Sequence, residues 1–289
     1  MPLQIEPFFH QSTATLSYLI WCDKQHVGAI IDPPLDYCQQ SGQIDTQLAD
    51  SIINRINALQ LSIRWLLETH AHADHLSAAQ YLKQQIGGQT AIGKDITYAQ
   101  QTFKDKLNLD DDFATDGRQF DMLLEDGQQL ALGDYHIDVL ATPGHTNDSV
   151  TFVVDGNAFV GDTLFMPDSG TARCDFPGGD AGMLYDSVSK IFALADETLL
   201  WMCHDYQPNG RQLAYQSTVA QQQSDNIHVN HRLTKQDFIT TREKRDATLD
   251  LPTLLYPSIQ VNIAAGHLPK PQDNGTRYIK VPLCGVTHF

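Results

Sequence analysis

Four side chains that commonly bind metal ions lie within six residues of this 289-residue sequence, in the pattern His70-x-His72-x-Asp74-His75. Side chains two positions apart in extended backbone project to the same side, so His70 and His72 can share one metal ion. Asp74 and His75 follow directly and can reach a second position. Imidazole and carboxylate together suit zinc, iron or manganese better than calcium or magnesium. The alternative, Asp74 as the N-cap of a helix starting near residue 76, explains one residue of the four.

Three further candidate ligands follow short apolar stretches later in the chain. His145 lies in Pro-Gly-His-Thr, Asp162 in Gly-Asp-Thr-Leu-Phe and His204 in Cys-His-Asp-Tyr. Each of them alone would be an ordinary polar loop residue. Together they matter, because a metal held by His70 and His72 still needs ligands from elsewhere in the fold.

Most of the candidate ligands directly follow a predicted strand. The apolar patterns predict strands at 16–22, 27–32, 63–68, 136–141, 149–154, 157–160 and 198–202. Helical patterns lie at 45–59, 76–86, 182–194, 212–226 and 235–247, before a tail that contains Pro and Gly. A rigid sheet can hold ligands at its strand ends while the loops are shaped to the chemistry. The element order predicts an α/β sandwich, with helices covering two packed sheets.

The charge balance restricts the class of partner. The chain carries 35 Asp and Glu residues against 19 Lys and Arg, a formal net charge of −16 at pH 7. This field repels nucleic acid and anionic membranes, so we expect neither as a partner and expect a small-molecule substrate. The sequence does not report the oligomeric state, so a homodimer is left as an open alternative.

The N-terminus and the cysteines indicate the compartment. The N-terminus lacks a basic segment followed by a long apolar run, and no stretch approaches the roughly 20 apolar residues of a membrane span. The five cysteines are odd in number and lack metal-finger spacing. We therefore predict a cytoplasmic protein with free thiols. The cysteines are Cys22, Cys38, Cys174, Cys203 and Cys284.

The four ligand-bearing motifs, in this order and spacing, resemble the metallo-β-lactamase superfamily over roughly residues 5–207. The resemblance implies an αββα sandwich of two mixed sheets flanked by helices. It implies a catalytic domain at 1–207 and a C-terminal extension of helices and loops at 208–289, packed on the same domain.

Two branches of this superfamily use these positions differently. The glyoxalase II pattern implies one metal on His70, His72 and His145, a second on Asp74, His75 and His204, and Asp162 as the bridge. Persulfide dioxygenases have the same positions, yet the resemblance implies one iron on His70, His145 and Asp162. The ligand set therefore does not choose between a dinuclear and a mononuclear centre.

Neighbouring segments favour the dioxygenase branch. Residues 169–180 resemble its Gly-x-x-Arg-x-Asp-Phe segment, and residues 258–266 resemble its bacterial members, including proteins called β-lactamase-hydrolase-like. The basic, glutathione-binding helical domain of glyoxalase II is not recognisable. The resemblance thus predicts a persulfide dioxygenase that uses O2 and one Fe(II) per chain to oxidise glutathione persulfide to sulfite and glutathione.

This reading assigns a role to each candidate residue. Two His and one carboxylate on one face of Fe(II) leave three positions open for O2 and the persulfide. Around the iron, hydrogen bonds to waters and ligands are expected from His72, Asp74, His75 and His204. The anionic substrate needs a local cation, so we expect contacts from Arg173, Arg211 and the Tyr206 hydroxyl. For the two arginines the alternative is a structural ion pair, with Asp175 as the candidate partner of Arg173.

Two other functions stay open. A dinuclear zinc thioester hydrolase of the glyoxalase II kind would use a metal-bridging hydroxide to attack a carbonyl. A non-enzymatic metal-binding or persulfide-sensing protein would bind metal tightly without turnover. Measurements of metal content and turnover distinguish these candidate functions. The sequence does not identify the thiol that carries the persulfide.

Overall fold

The computed structural model describes residues 2–283, so Cys284 lies outside the described part of the chain. The early strands are β1 (Gln4–His10), β2 (Thr15–Cys22), β3 (Val27–Ile31), β4 (Pro34–Cys38), β5 (Gln43–Asp45), β6 (Ser62–Leu67), β7 (Leu76–Ser77), β8 (Gln89–Gly93) and β9 (Met122–Leu124). The later strands are β10 (Gln129–Leu132), β11 (Tyr135–Ala141), β12 (Val150–Val154), β13 (Asn157–Phe159), β14 (Leu199–Trp201) and β15 (Gln216–Thr218). The α-helices are α1 (Gln47–Leu59), α2 (Ala79–Ile86), α3 (Ile96–Leu107), α4 (Ala181–Phe192), α5 (Val219–Asp225), α6 (Lys235–Asp246) and α7 (Leu255–Asn262).

Within residues 2–283 the strands form two large sheets, the first from strands that precede residue 125 and the second from strands that follow it. The first has the order β1-β2-β3-β6-β8-β9 and the second β10-β11-β12-β13-β14-β15; β5-β4-β7 form a small third sheet. Both large sheets mix antiparallel and parallel pairs, since β3, β6, β8 and β9 are parallel neighbours and so are β13 and β14.

The core has the layers of a sandwich. Side chains of both sheets, among them Tyr18, Phe152 and Phe159, pack against one another between the sheets. The outer face of the first sheet packs on the amphipathic helix α1, whose buried positions Ala49, Ile52 and Ile56 recur at helical spacing. The outer face of the second sheet packs on α4 and α6. This arrangement confirms the predicted αββα sandwich.

Several predicted elements differ from the observed ones. Residues 76 and 77 form strand β7, and α2 begins at Ala79 after Ala78, so Asp74 is not its N-cap. The pattern at 212–226 contains both β15 and α5, because Thr218 ends the strand and caps the helix in a capping box with Gln221. Helix α3 and helix α7 were not predicted.

The segment after residue 207 pairs with and packs against the sandwich. Strand β15 pairs with β14 as an edge of the second sheet, and α7 packs on β7. Among the described residues no helix is long and apolar enough to span a membrane.

Candidate metal centre

The predicted ligands meet where strands of both sheets end. The segment His70–His75 follows β6 of the first sheet, while His145, Asp162 and His204 follow β11, β13 and β14 of the second. All of them are buried except Asp74, which is partly exposed. The structure therefore brings together every metal-binding side chain that the motifs indicated.

The ligand atoms fall into two adjoining groups. His70, His145 and Asp162 place one donor atom each within 4.8 Å of one another, and so do His72, Asp74, His75 and His204. Asp162 lies between the groups: its Oδ2 is 3.6 Å from His145 Nε2, and its Oδ1 is 3.4 Å from His204 Nε2. The second group therefore lies next to Asp162. Within that group, His204 Nε2 is 3.2 Å from Asp74 Oδ2.

The donor set fits a metal ion on physical grounds. Within the described part of the chain, six of these buried atoms have no hydrogen-bond partner, although an unpaired buried polar atom normally costs roughly 1–3 kcal/mol. The six atoms are His70 Nε2, His72 Nδ1, Asp74 Oδ2, His75 Nε2, Asp162 Oδ1 and His204 Nε2. They converge on one region, so metal coordination is the interaction that would satisfy them.

The second nitrogen of each ligand histidine is engaged by the surrounding protein. His145 Nδ1 donates to the Arg173 carbonyl over 2.7 Å, and His75 Nδ1 lies 3.3 Å from the Leu76 carbonyl. The remaining partners are Thr69 Oγ1 for His70 Nδ1, Thr15 Oγ1 for His204 Nδ1 and Asp32 Oδ1 for His72 Nε2. Such contacts fix the ring orientation and leave the other nitrogen aimed at the metal.

Asp32, which the sequence analysis did not single out, organises the start of the ligand loop. Its two oxygens accept the Thr69 N–H over 2.7 Å and the Thr69 hydroxyl over 2.8 Å, and Oδ1 also faces His72. Burial alone would lower the pKa of His72, but attraction from Asp32 and Glu68 outweighs it and raises that pKa well above its ordinary value.

Burial and the neighbouring histidines instead lower the pKa of His70 and bring that of His75 to about 3. His70 and His75 are thus neutral and able to donate a lone pair.

Gly161 allows the Asp162 turn to approach the His70 loop. Its φ is +51°, a left-handed conformation that glycine adopts without strain. A Cβ at this position would lie 2.6 Å from the Thr69 hydroxyl oxygen. Only a residue without a side chain therefore lets Asp162 lie beside His70.

Asn262, at the end of α7, clamps the same loop from the C-terminal side. Its amide nitrogen donates to the carbonyls of His72 and His75, each over 2.8 Å, and its oxygen accepts the Ser77 N–H over 2.8 Å. The side chain is buried, so these bonds do not compete with solvent. Asn262 belongs to the segment that resembled the dioxygenase branch, but its contact with residues 72–77 spans far too much sequence to be read from spacing.

Replacing Asn262 by Asp should weaken metal binding. The carboxylate keeps an acceptor for Ser77 but removes both donors to the ligand loop, and changes that disturb the support of metal ligands typically cost 10- to 100-fold in affinity. Competition with a metal chelator measures this. Asn157→Asp, a change of the same type at the far end of β13, serves as the control, and equal metal affinity in both variants would contradict the clamp.

A cavity of about 500 Å³ opens onto the metal centre. Asp74, His145 and Asp162 lie in its wall, and residues 171–173 and Phe176 form another side. Its size is within the range of roughly 300–1,000 Å³ that small-molecule sites have in proteins. The cavity is therefore the candidate substrate site.

Of the predicted substrate-binding residues, Arg173 and Tyr206 line this cavity, whereas Arg211 lies outside its wall and contacts the lining residue Asp168; both arginines are paired. Arg173 donates to both oxygens of Asp175 over 2.6 Å and stacks on Phe176, while Arg211 makes two-point contacts with Asp168 and Asp205. The alternative of structural ion pairs thus describes their contacts here, and their binding of substrate stays a prediction. Tyr206 lines the cavity and stacks on His204 with the rings 10° from parallel.

The two cysteines nearest the centre are buried thiols. Burial raises the pKa of Cys174 to about 12 and that of Cys203 well above its ordinary value. Both are therefore protonated and unreactive at neutral pH, as expected of packing residues.

Comparison with known proteins gives relatives that match almost the whole chain. A "probable metallo-hydrolase" of Burkholderia pseudomallei is 52% identical, over 98% of this chain and 100% of that protein. "Glyoxylase B2" of Dictyostelium discoideum is 46% identical, over 97% of each chain. A "beta-lactamase hydrolase-like protein" of Agrobacterium fabrum is 47% identical, and this chain spans 64% of its length.

More distant relatives include the persulfide dioxygenase ETHE1 of Homo sapiens, 30% identical over 71% of this chain and 69% of that one. The crystal structure of ETHE1 from Myxococcus xanthus superposes with a TM-score of 0.73 and 27% identity, covering 91% of this chain and 100% of that chain. The family model of the metallo-beta-lactamase superfamily matches residues 14–204, which include every ligand of both groups. The chain belongs to the metallo-β-lactamase superfamily.

Proposed function

We propose that this protein is a persulfide dioxygenase that oxidises glutathione persulfide at one iron held by His70, His145 and Asp162. The observation that carries the proposal is the superposition on ETHE1 from Myxococcus xanthus along the full length of that chain. The segment that resembled this branch also touches the centre, because the Arg173 carbonyl accepts the hydrogen bond of the ligand His145 over 2.7 Å.

The chain's own residues would do three things in this reaction. His70, His145 and Asp162 would hold the iron, which when bound would supply the redox chemistry that dioxygen requires. Phe165 and Phe176 line the cavity beside the ligands and would exclude bulk water from the sulfur. Asp74 and His204, 3.2 Å apart, would hold by hydrogen bonds the one water molecule that the reaction consumes, since glutathione persulfide, O2 and water together give sulfite and glutathione.

A second candidate is a dinuclear metallohydrolase of the glyoxalase II kind. Two observations support this candidate: the second ligand group also has unpaired buried donor atoms, and Asp162 lies between the two groups. The relatives at 52% and 46% identity carry hydrolase and glyoxylase names, which support this candidate, whereas the ETHE1 relatives at 30% and 27% identity support the dioxygenase. In that reaction the two ligand groups would hold two metal ions, which would supply an activated water for hydrolysis of a thioester.

One experiment separates the candidates. Protein purified without added metal should contain one iron per chain and consume O2 when glutathione persulfide is added. Two zinc ions per chain, with hydrolysis of a glutathione thioester and no O2 uptake, would establish the hydrolase instead. Metal binding without either reaction would identify a non-enzymatic metal protein.

A further inference from the structure

An anionic substrate in the cavity above the metal centre is bound more tightly when the cavity wall carries a positive charge without a carboxylate partner. The protein has a net charge of −16, so an anion is repelled from most of its surface. Of the acidic residues in the cavity wall, Asp74 and Asp162 belong to the candidate metal centre and Asp168 pairs with Arg211. The basic residues in that wall are Arg173, Arg242 and Arg245.

Two of these arginines are already neutralised by carboxylates. Arg173 pairs with Asp175, and the buried Arg242 donates two hydrogen bonds to Asp246, at 3.0 and 2.6 Å. Arg242 also donates to the Thr171 carbonyl. Both guanidinium groups therefore shape the wall and contribute little net charge to the cavity.

Arg245 is different. Its side chain is exposed at the cavity, and among residues 2–283 no carboxylate lies within ion-pair distance of it. Burial, followed by the charges of Arg242 and Arg245, lowers the pKa of the adjacent His228 to about 4, so His228 is neutral and adds no competing cation. The exposed apolar side chains of Ile227 and Leu249 line the same cavity.

The position of Arg245 is fixed by its helix. One turn of α6 carries Arg242 and Asp246, and Asp246 accepts the Cys174 N–H over 2.8 Å. These contacts attach the end of α6 to residues 171–174, and Arg173 in turn holds the metal ligand His145. The backbone of Arg245 is therefore held at a defined place relative to the candidate metal ligands.

We infer that Arg245 binds a carboxylate of the substrate while the sulfur end lies at the metal centre. This inference rests on the proposed function for the identity of the substrate as a glutathione derivative. It makes Arg245 a specificity-determining residue, which selects an anionic thiol compound over a neutral one of the same size. A planar guanidinium suits this task because it can contact both oxygens of a carboxylate.

Calorimetric binding of S-methylglutathione to the metal-loaded protein tests the inference without any reaction. We expect Arg245→Ala to weaken binding by roughly 10- to 100-fold and Arg245→Lys to weaken it less. The diethyl ester of the same compound, which has no carboxylate, should bind the parent protein and Arg245→Ala equally weakly. Arg232→Ala, which removes an exposed arginine outside the cavity wall, is the control for net charge and should bind like the parent.

The outcomes separate this inference from the proposed reaction. Equal affinity of the parent and Arg245→Ala for the free acid, or no binding by the parent, would overturn the role of Arg245. If binding depends on Arg245 but glutathione persulfide causes no O2 uptake, the inference stands and the dioxygenase proposal fails. If O2 uptake occurs with a KM unchanged in Arg245→Ala, the dioxygenase stands and the inference fails.

Discussion

Replacing Asp162 by Ala is expected to remove the bound metal and to lower the catalytic rate on the order of a thousandfold, since a catalytic metal contributes several kcal/mol to the transition state. We expect this large effect because Asp162 lies between the two ligand groups. Its Oδ2 is 3.6 Å from His145 Nε2, and its Oδ1 is 3.4 Å from His204 Nε2. Its loss leaves His70 and His145 with no carboxylate ligand. Metal analysis and steady-state rates of the purified variant measure the two effects.

His204→Ala is the matched variant, because His204 belongs to the second group alone. A single iron on His70, His145 and Asp162 predicts that this variant keeps most of its metal while its rate falls. A metal loss equal to that of Asp162→Ala would contradict the single-iron centre and favour two metals. Unchanged metal content in Asp162→Ala would exclude both assignments.

Replacing Asp246 by Ala is expected to lower the free energy of unfolding by about 3–5 kcal/mol, because it leaves a buried guanidinium without its counter-charge. Arg242 and Asp246 are 3% and 5% exposed, and Asp246 also accepts the Cys174 N–H. The loss is a large part of the roughly 5–15 kcal/mol by which a protein is ordinarily stable. Urea unfolding of the metal-loaded variant measures it.

The same helix offers a matched control. Lys235 of α6 pairs with Asp186 of α4 on the surface, where the two side chains are 44% and 62% exposed. Asp186→Ala should therefore change stability by no more than about 1 kcal/mol. If Asp246→Ala does not fold, the double variant Arg242→Met, Asp246→Leu removes both charges and should recover most of the stability; failure of that variant too would show that the polar contacts to residues 171–174 are required.

The ligands could be predicted from sequence because a metal centre imposes a local pattern. His70, His72, Asp74 and His75 lie in one loop, and the other ligands directly follow apolar strands, so the sheet geometry brings them together. The support around them could not be predicted. Asp32 and Asn262 act through single contacts to distant residues, and a single sequence contains no spacing that relates residue 262 to residue 77.

Helix α7 was missed for a different reason. Its buried residues Leu255 and Ile259 have helical spacing, but Pro257 lies between them. Proline is tolerated in the first turn of a helix, where its missing N–H would have no intrahelical acceptor. In α3 the buried polar residue Gln100 interrupts the apolar pattern in a similar way, because it donates to the Ile263 carbonyl and accepts the Gly117 N–H.

The sequence did not establish which arginines of the cavity wall are paired with carboxylates. Arg173 lies two residues from Asp175, and the structure shows that the two side chains are in contact. Arg245 has no motif around it, and its position at the cavity follows from the packing of α6. Sequence alone thus indicated the candidate metal ligands but not Arg245, the cavity-wall arginine that has no carboxylate partner among residues 2–283.

The order of the two large sheets along the chain has a consequence for biosynthesis. Strands β1 to β9 of the first large sheet and the small sheet are made before residue 125, and β10 to β15 follow. As the chain leaves the ribosome, the first sheet can form early with its His70–His75 loop, but His204 and the Asn262 clamp emerge much later. Metal acquired before residue 262 has emerged would meet an incomplete site, so stable metal binding is expected only after α7 has packed on the ligand loop.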